Sequence, residues 1–468
     1  MRQRSCALVC ALAAMFLHAC AAEEFALSET ERGELLERLV RYCKASSASV
    51  RGGTPPTSPS QLALASSIVA ELQRLPGGER LAIDSDAAGN TFVTVPAVDG
   101  AAVDTPHIAV LAHLDVSPDF ASQDVKPLVH RYSGEPITIT GPNEELVELS
   151  PESDAGLRAL RTGDTVVTAS ADTLLGADDK SGVAVAVTAL ARLLSPTVRP
   201  IKHGKVTFVF NVDEEVGLLG AAALDVGALG AHVAYTLDGE EPGSVGYESW
   251  AAERAEIEVT GLSFHPGFSK GKTVNAVLLL SRIIAALPRE GVSPETTEGR
   301  EGFIQVMEVS GSVGSARAML ILRDFEEDGL AALKRRVEGL CTGFGASEPR
   351  ATVSVTFRRE YSNQRVAFEH DFRPVALARA AVAAVGLEPK SPPFRGGTDG
   401  SVLSLRGLPT PNLFAGWHNA HGPSEFASLD EMALSTEVVL RLLRAWADEP
   451  IEAPTAGAER SSARGGEL

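Results

Sequence analysis

Three short apolar runs each stop on an ionisable residue, and this pattern limits the fold more than anything else in the chain. "HIAVLAHLD" ends on His113 and Asp115, "VTFVFNVDEE" on Asp213, Glu214 and Glu215, and "HVAYTLDGEEPG" reaches Asp238. Runs this short and this continuously apolar are strands buried on both faces. Between the first two, "LLGADDKSGVAVAVTALARLL" reads as a turn carrying Asp178 and Asp179, then a helix from about Ser181 to Leu194. Strands alternating with helices predict an α/β unit with a mostly parallel sheet. In such sheets functional side chains gather beyond the carboxyl ends of the strands. His113 and the acids are therefore expected to meet.

The run Asp213–Glu215 sharpens that expectation. Three adjacent carboxylates repel one another, and no Lys or Arg follows until Arg254. A bound cation would neutralise them. His113, Asp178, Glu215, Asp238 and His421 form a candidate ligand set of imidazoles and carboxylates, which suits hard and borderline divalent cations. The set contains no cysteine, as in catalytic rather than structural zinc sites. A carboxylate at a turn before a helix, Asp178, is placed to bridge two ions. Asp115 lies too near His113 in sequence to be a convenient separate ligand and is expected to fix the imidazole tautomer instead. "GWHNAHG" holds two histidines, and His418 is expected near the site or on the surface.

The chain has 468 residues, enough for two or three folded units, and a formal charge of −19, which argues against nucleic acid or an anionic membrane surface as partner. Arg2 and Arg4 precede the apolar run "CALVCALAAMFL", which is too short for a membrane span and has the layout of an export leader over 1–20. Cys20 stands where a bacterial lipoprotein would carry its lipid anchor, so the expected location is periplasmic or membrane-anchored, with cytoplasmic as the alternative. Only Cys43 and Cys341 lie in the body, which implies no disulfide framework. Ser28 with Glu31 three residues on predicts a capped amphipathic helix. From about Trp250 the order of elements becomes β-α-β-β-α-β, a split βαβ (ferredoxin-like) unit. The predicted layout is a catalytic domain over 28–249 and 362–447, an inserted domain over 250–361, and a disordered tail over 448–468.

"HLD", "LLGADDKSG", "DEEVG", "TLDGEEPG", "SFHPGFSKGKTVNA", "LILRDF", "RGGTDGS" and "NAHGPSEF" together resemble the M20 family of dizinc metallopeptidases, and its tripeptide aminopeptidase subgroup in particular. The resemblance runs in order from about Leu35 to Ala447. It implies a zinc-peptidase-like catalytic domain with an inserted lid and dimerisation domain, two Zn2+ per subunit (or Co2+ or Mn2+), small peptide substrates and a homodimer. Residue by residue, it implies that His113 and Asp238 hold one zinc, Glu215 and His421 the other, and Asp178 both. Glu214 takes the place of the general base and Asp115 that of the residue supporting His113. His265, Asn275, Arg323 and Arg395 match substrate-binding positions. The frame "HG-x-x-EF" selects His421 over His418. The same ligands would serve a dipeptidase, a carboxypeptidase or an N-acyl-amino-acid deacylase. An alternative of another class is an exported peptide-binding lipoprotein without catalysis.

Overall fold

The computed structural model describes residues 24–98, 104–144, 146–196, 200–287 and 291–449. The expected leader, Cys20 and nearly all of the expected tail lie outside them. Among the described residues no helix is long and apolar enough to cross a membrane. The chain divides into two compact units, one of 1–245, 373–390 and 408–468, the other of 246–372 and 391–407.

In the first unit, helix α1 (Glu29–Lys44) begins with the expected capping box, Ser28 and Glu31 closing on each other. It buries Leu35, Leu39, Tyr42 and Cys43 at helical spacing. Helix α2 (Pro59–Arg74) starts on a proline, whose missing N–H is no loss at a first turn. Next come strands β1 (Ala82–Ser85), β2 (Thr91–Val95) and β3 (Ile108–His113), helix α3 (Ala177–Leu194), and strands β4 (Val206–Asn211) and β5 (Val233–Gly239). Every residue of β3 and β4 is buried, as their unbroken apolar character requires.

The sheet runs β1-β2-β4-β3-β5 and continues with Asn412–Phe414. Its centre is parallel: β3 pairs with β4 and β5, and Asn412–Phe414 with β5. Its edge is antiparallel, β1 with β2 and β2 with β4, so the sheet is mixed, with the expected parallel strands at its centre. The cause is local. Asp86 accepts hydrogen bonds from Ala88 N and Asn90 N and closes a tight turn, and strands joined that closely can pair only antiparallel. A second sheet, Leu128–Arg131 with Thr165–Thr168, Phe426–Ser428 and Trp417–His418, was not anticipated.

The second unit contains β6 (Ala251–Thr260), α4 (Ala276–Ala285), β7 (Phe303–Gly311), β8 (Ser315–Asp324), α5 (Glu327–Ser347) and β9 (Thr352–Tyr361). Its antiparallel sheet is ordered β7-β8-β6-β9, the split βαβ topology. Ile257, Val259, Leu280, Leu320, Leu322 and Val337 form part of its core. This unit is wider than 250–361, because 362–372 and 391–407 belong to it. Phe394 N donates to Glu248 O at 3.1 Å, and Arg395 lies over the Trp250 ring at 4.8 Å.

The chain then returns to the first unit with α6 (Arg373–Ala384) and α7 (Leu429–Trp446). Trp446 Nε1 donates to the Tyr235 hydroxyl at 2.8 Å, which donates to Pro374 O at 2.9 Å. This relay ties α7 and the start of α6 to β5.

Candidate metal centre and catalytic site

All five candidate ligands belong to the first unit, and the structure brings them together. His113 ends β3, Asp178 opens α3, Glu215 follows β4, Asp238 lies near the end of β5, and His421 sits in the loop between Trp417–His418 and Phe426–Ser428. They form two groups sharing one member: His113, Asp178 and Asp238, and Asp178, Glu215 and His421. Within each group the ligand atoms lie within 4.8 Å of one another. Asp178 Oδ1 is 3.1 Å from His113 Nε2, and Asp178 Oδ2 is 3.4 Å from His421 Nε2. The two oxygens of one carboxylate thus face different groups. Asp238 Oδ1 lies 3.7 Å from His113 Nε2 and Glu215 Oε1 2.9 Å from His421 Nε2.

The electrostatics show a site short of positive charge. Burial and the nearby Asp178 charge push Asp238 up to about 7. Burial likewise raises Glu215, with Asp178 adding to the effect. Contacts with Asp178 and Glu215 raise His421 to about 10. Burial alone would depress His113, but the carboxylates of Asp115, Asp178 and Asp238 lift it well above its ordinary value. Protons are held wherever negative charge gathers, which is the demand a divalent cation meets. Glu215 Oε1 is buried and, despite its closeness to His421, has no hydrogen bond of acceptable geometry. Imidazole nitrogens and carboxylate oxygens gathered in two groups, with one of those oxygens lacking a hydrogen bond, fit a pair of bound ions.

Buried side chains hold the ligand-bearing loops by their backbone amides. Asp115 reaches both His113 and the loop after β4. The closer partner of His113 Nδ1 is the Asp115 backbone carbonyl at 3.1 Å, with the carboxylate at 3.4 Å. The Asp115 carboxylate mainly receives Glu214 N at 3.0 Å and Glu215 N at 3.1 Å, one on each oxygen, so successive amides form a nest around an anion. Asp179 receives His113 N at 3.2 Å and Gly182 N at 3.1 Å. Glu425, fully buried, receives Leu175 N, Gly176 N and Asp178 N at 2.8, 2.7 and 2.9 Å. Burial raises it to about 7. Asn412 brackets Asp238, accepting from its N–H and donating to its carbonyl, both at 3.0 Å.

Sequence reasoning gave no role to Glu425, Asp179, Asn412 or Asp213. Glu425 carried a visible signal as the acid of "HG-x-x-EF", and Asp179 and Asp213 stood inside acidic runs without a role of their own. His418 is not on the surface: it is buried, 2.6 Å from Glu431 Oε2 through Nε2, and stacked on Phe426. The remaining candidates belong to the second unit. His265 is exposed and its Nδ1 accepts from Gly267 N at 3.2 Å. Asn275 caps α4 by accepting from Leu278 N at 3.2 Å. Arg323 lies over the Tyr361 ring at 5.2 Å, and burial lowers its pKa. Arg395 donates to Gly299 O, Glu301 O and Thr297 Oγ1.

Residues 174–445 match the family described as Peptidase family M20/M25/M40. A protein named peptidase T from Geobacillus thermodenitrificans is 37% identical over 413 residues, 88% of this chain and 98% of its own. Another, from Bacillus cereus (strain Q1), is 38% identical over 419 residues, 89% of this chain and 98% of its own. Among solved structures, aminopeptidase PepT from Bacillus cereus has a TM-score of 0.66 at 20% identity, covering 89% of this chain and 99% of that one. The Bacillus subtilis YXEP protein, described as a dinuclear metal binding peptidase from the M20 family, has a TM-score of 0.59 at 14% identity, covering 90% and 99%. These two structures speak for the fold alone. The family match and the curated relatives go further: the chain belongs to peptidase family M20/M25/M40 and is an enzyme of the peptidase class.

Proposed function

We propose that the protein is a tripeptide aminopeptidase that releases the N-terminal residue of its substrate with the help of two divalent ions, zinc in the first instance. The observation that carries this reading is the pair of ligand groups joined through the two oxygens of Asp178. It is supported by 37% identity to a protein named peptidase T. His113, Asp178 and Asp238 would hold one ion, and Asp178, Glu215 and His421 the other. Bound there, the pair would polarise the scissile carbonyl and bring the pKa of a shared water down towards about 7.

The chain's own residues do the rest. Glu214 is half-buried, its backbone amide is fixed by Asp115, and its negative charge acts on His113. It lies outside both ligand groups, and in this reading its carboxylate takes the water's proton and returns it to the leaving amine. The second unit enters as lid and dimerisation domain, with His265, Asn275, Arg323 and Arg395 contacting substrate. Export with a lipid on Cys20 is part of the same proposal, and labelled fatty acid incorporated in the wild type but not in Cys20→Ala would support it.

The decisive assay compares di-, tri- and tetrapeptides, with free and blocked N-termini, on zinc-loaded protein with a chelator control. Preference for free tripeptides is expected. Preference for dipeptides or N-acyl substrates would favour another hydrolase of the family, and activity indifferent to chelator would remove the metal argument. Glu214→Ala should keep both ions yet lose turnover by about 100-fold or more. Near-parental turnover in that variant would show that the base is another group.

A further inference from the structure

Asp213 is the one acid of the "DEE" run with no part in the proposed reaction, and its surroundings assign it another. It is fully buried. Its backbone adopts φ 57°, the left-handed region that a non-glycine residue enters at a cost. Thr57 N donates to Asp213 Oδ2 at 2.8 Å, while Gln61 Nε2 donates to Oδ1 at 2.6 Å, where the Thr57 hydroxyl also donates. The bond is returned, because Asp213 N donates to Gln61 Oε1 at 3.0 Å. One side-chain amide thus engages both the backbone and the carboxylate of residue 213. The next two amides, of Glu214 and Glu215, go to Asp115. Three successive N–H groups are fixed, and the first of them belongs to the left-handed residue.

We propose that the reciprocal Gln61–Asp213 pair is a positioning clamp for the general base. It stabilises the left-handed turn that sets the direction in which Glu214 leaves the backbone, next to a neighbour, Glu215, that points to the metal groups. Asp115 cannot do this alone, since it binds the two amides after the turn and makes no bond to residue 213 that would select its φ. Gln61 acts through Asp213 and Glu214 and touches no reacting atom. The clamp rests on the proposed role of Glu214.

The test uses full-length, zinc-loaded protein in four forms: parental, Gln61→Glu, Asp213→Asn, and the double variant. Each single change sets like groups against each other, acceptor on acceptor or donor on donor. The double variant restores a donor–acceptor match in the reverse sense, with the amide at position 213 and the carboxylate at position 61. Hydrogen exchange at the amides of 213–217, measured with and without zinc, should rise at least tenfold in each single variant and return towards parental in the double. On the best peptide substrate, kcat should fall at least tenfold in the singles, with KM and bound zinc within about twofold of parental, and should recover in the double. Parental kcat and exchange in the singles would overturn the clamp. So would a kcat loss that follows zinc loss, or a double variant no better than the singles. If the parental protein hydrolyses no peptide while exchange follows the stated pattern, the function reading fails and the clamp on the loop stands.

Discussion

Glu425→Gln is the substitution whose consequence can be worked out most closely. Glu425 Oε2 receives two amides, Leu175 N and Gly176 N, while Oε1 receives Asp178 N alone. A glutamine of the same shape has one acceptor and one donor end. Keeping its oxygen on Leu175 and Gly176 saves two bonds and turns the NH2 group towards Asp178 N, donor against donor. The flipped orientation loses two bonds and is worse. The lower-cost arrangement therefore leaves Asp178 N buried without an acceptor, about 1–3 kcal/mol, and places the strain at Asp178, the member common to both ligand groups. At about 1.4 kcal/mol per decade, affinity for both ions should weaken by roughly 10- to 100-fold, in the range expected when a side chain supporting a metal ligand is changed. Competition with a chromogenic chelator measures this, with thermal melting of the metal-free protein showing that the variant is folded. A folded variant that binds both ions with parental affinity would refute the reasoning.

Two further outcomes follow from other parts of the molecule. Burial first, and the Lys205 charge second, depress His107 from its ordinary 6.5 to about 4; the unfolded chain binds the proton more tightly, so this contribution to stability is full above pH 6.5 and is lost as pH falls through 4. Denaturant melts should show lower stability at pH 4.5 than at pH 7 from this residue, a difference that should shrink in His107→Gln; an unchanged pH slope in that variant would exclude the assignment. Leu320→Ala removes a fully buried side chain from the core of the second unit and should cost about 2–5 kcal/mol, lowering that unit's melting transition while leaving zinc affinity in the first unit intact; equal loss of both would contradict the division into units.

How much of this was visible beforehand depends on the range of the forces involved. The elements of the second unit were legible because their signal is local: β6 alternates buried and exposed residues over its second half, and α4 repeats its apolar positions at helical spacing. The convergence of His113, Asp178, Glu215 and Asp238 was legible because three of them follow or end buried strands and the fourth opens the helix between two of those strands. The sheet built from Leu128–Arg131 and Thr165–Thr168 was not, since its strands are four residues or fewer and are completed by segments near residue 420. Arg395 was read with the returning catalytic segment, but its neighbours are Trp250, Phe303 and the carbonyls of Gly299 and Glu301. Glu425 and Asp213 act through hydrogen bonds to backbone or side chains some 150–250 positions away, and no periodicity announces such a bond.

The adjacency of Asp213, Glu214 and Glu215 is then less a problem of one charged patch than of three separate environments. The Asp213 carboxylate is solvated locally by the donors of Thr57 and Gln61. Glu215 faces His421, and Glu214 acts on His113. One left-handed residue followed by two amides bound to Asp115 lets neighbouring side chains diverge, so their mutual repulsion is met by different partners. Of the three, only Glu215 belongs to a metal group. Cations entering the two groups take over charge that protons on His421 and Asp238 otherwise supply near neutral pH. Metal binding and proton release at this site are therefore two sides of one equilibrium, while the clamp on Asp213, built from donors that carry no exchangeable charge, stays the same on either side of it.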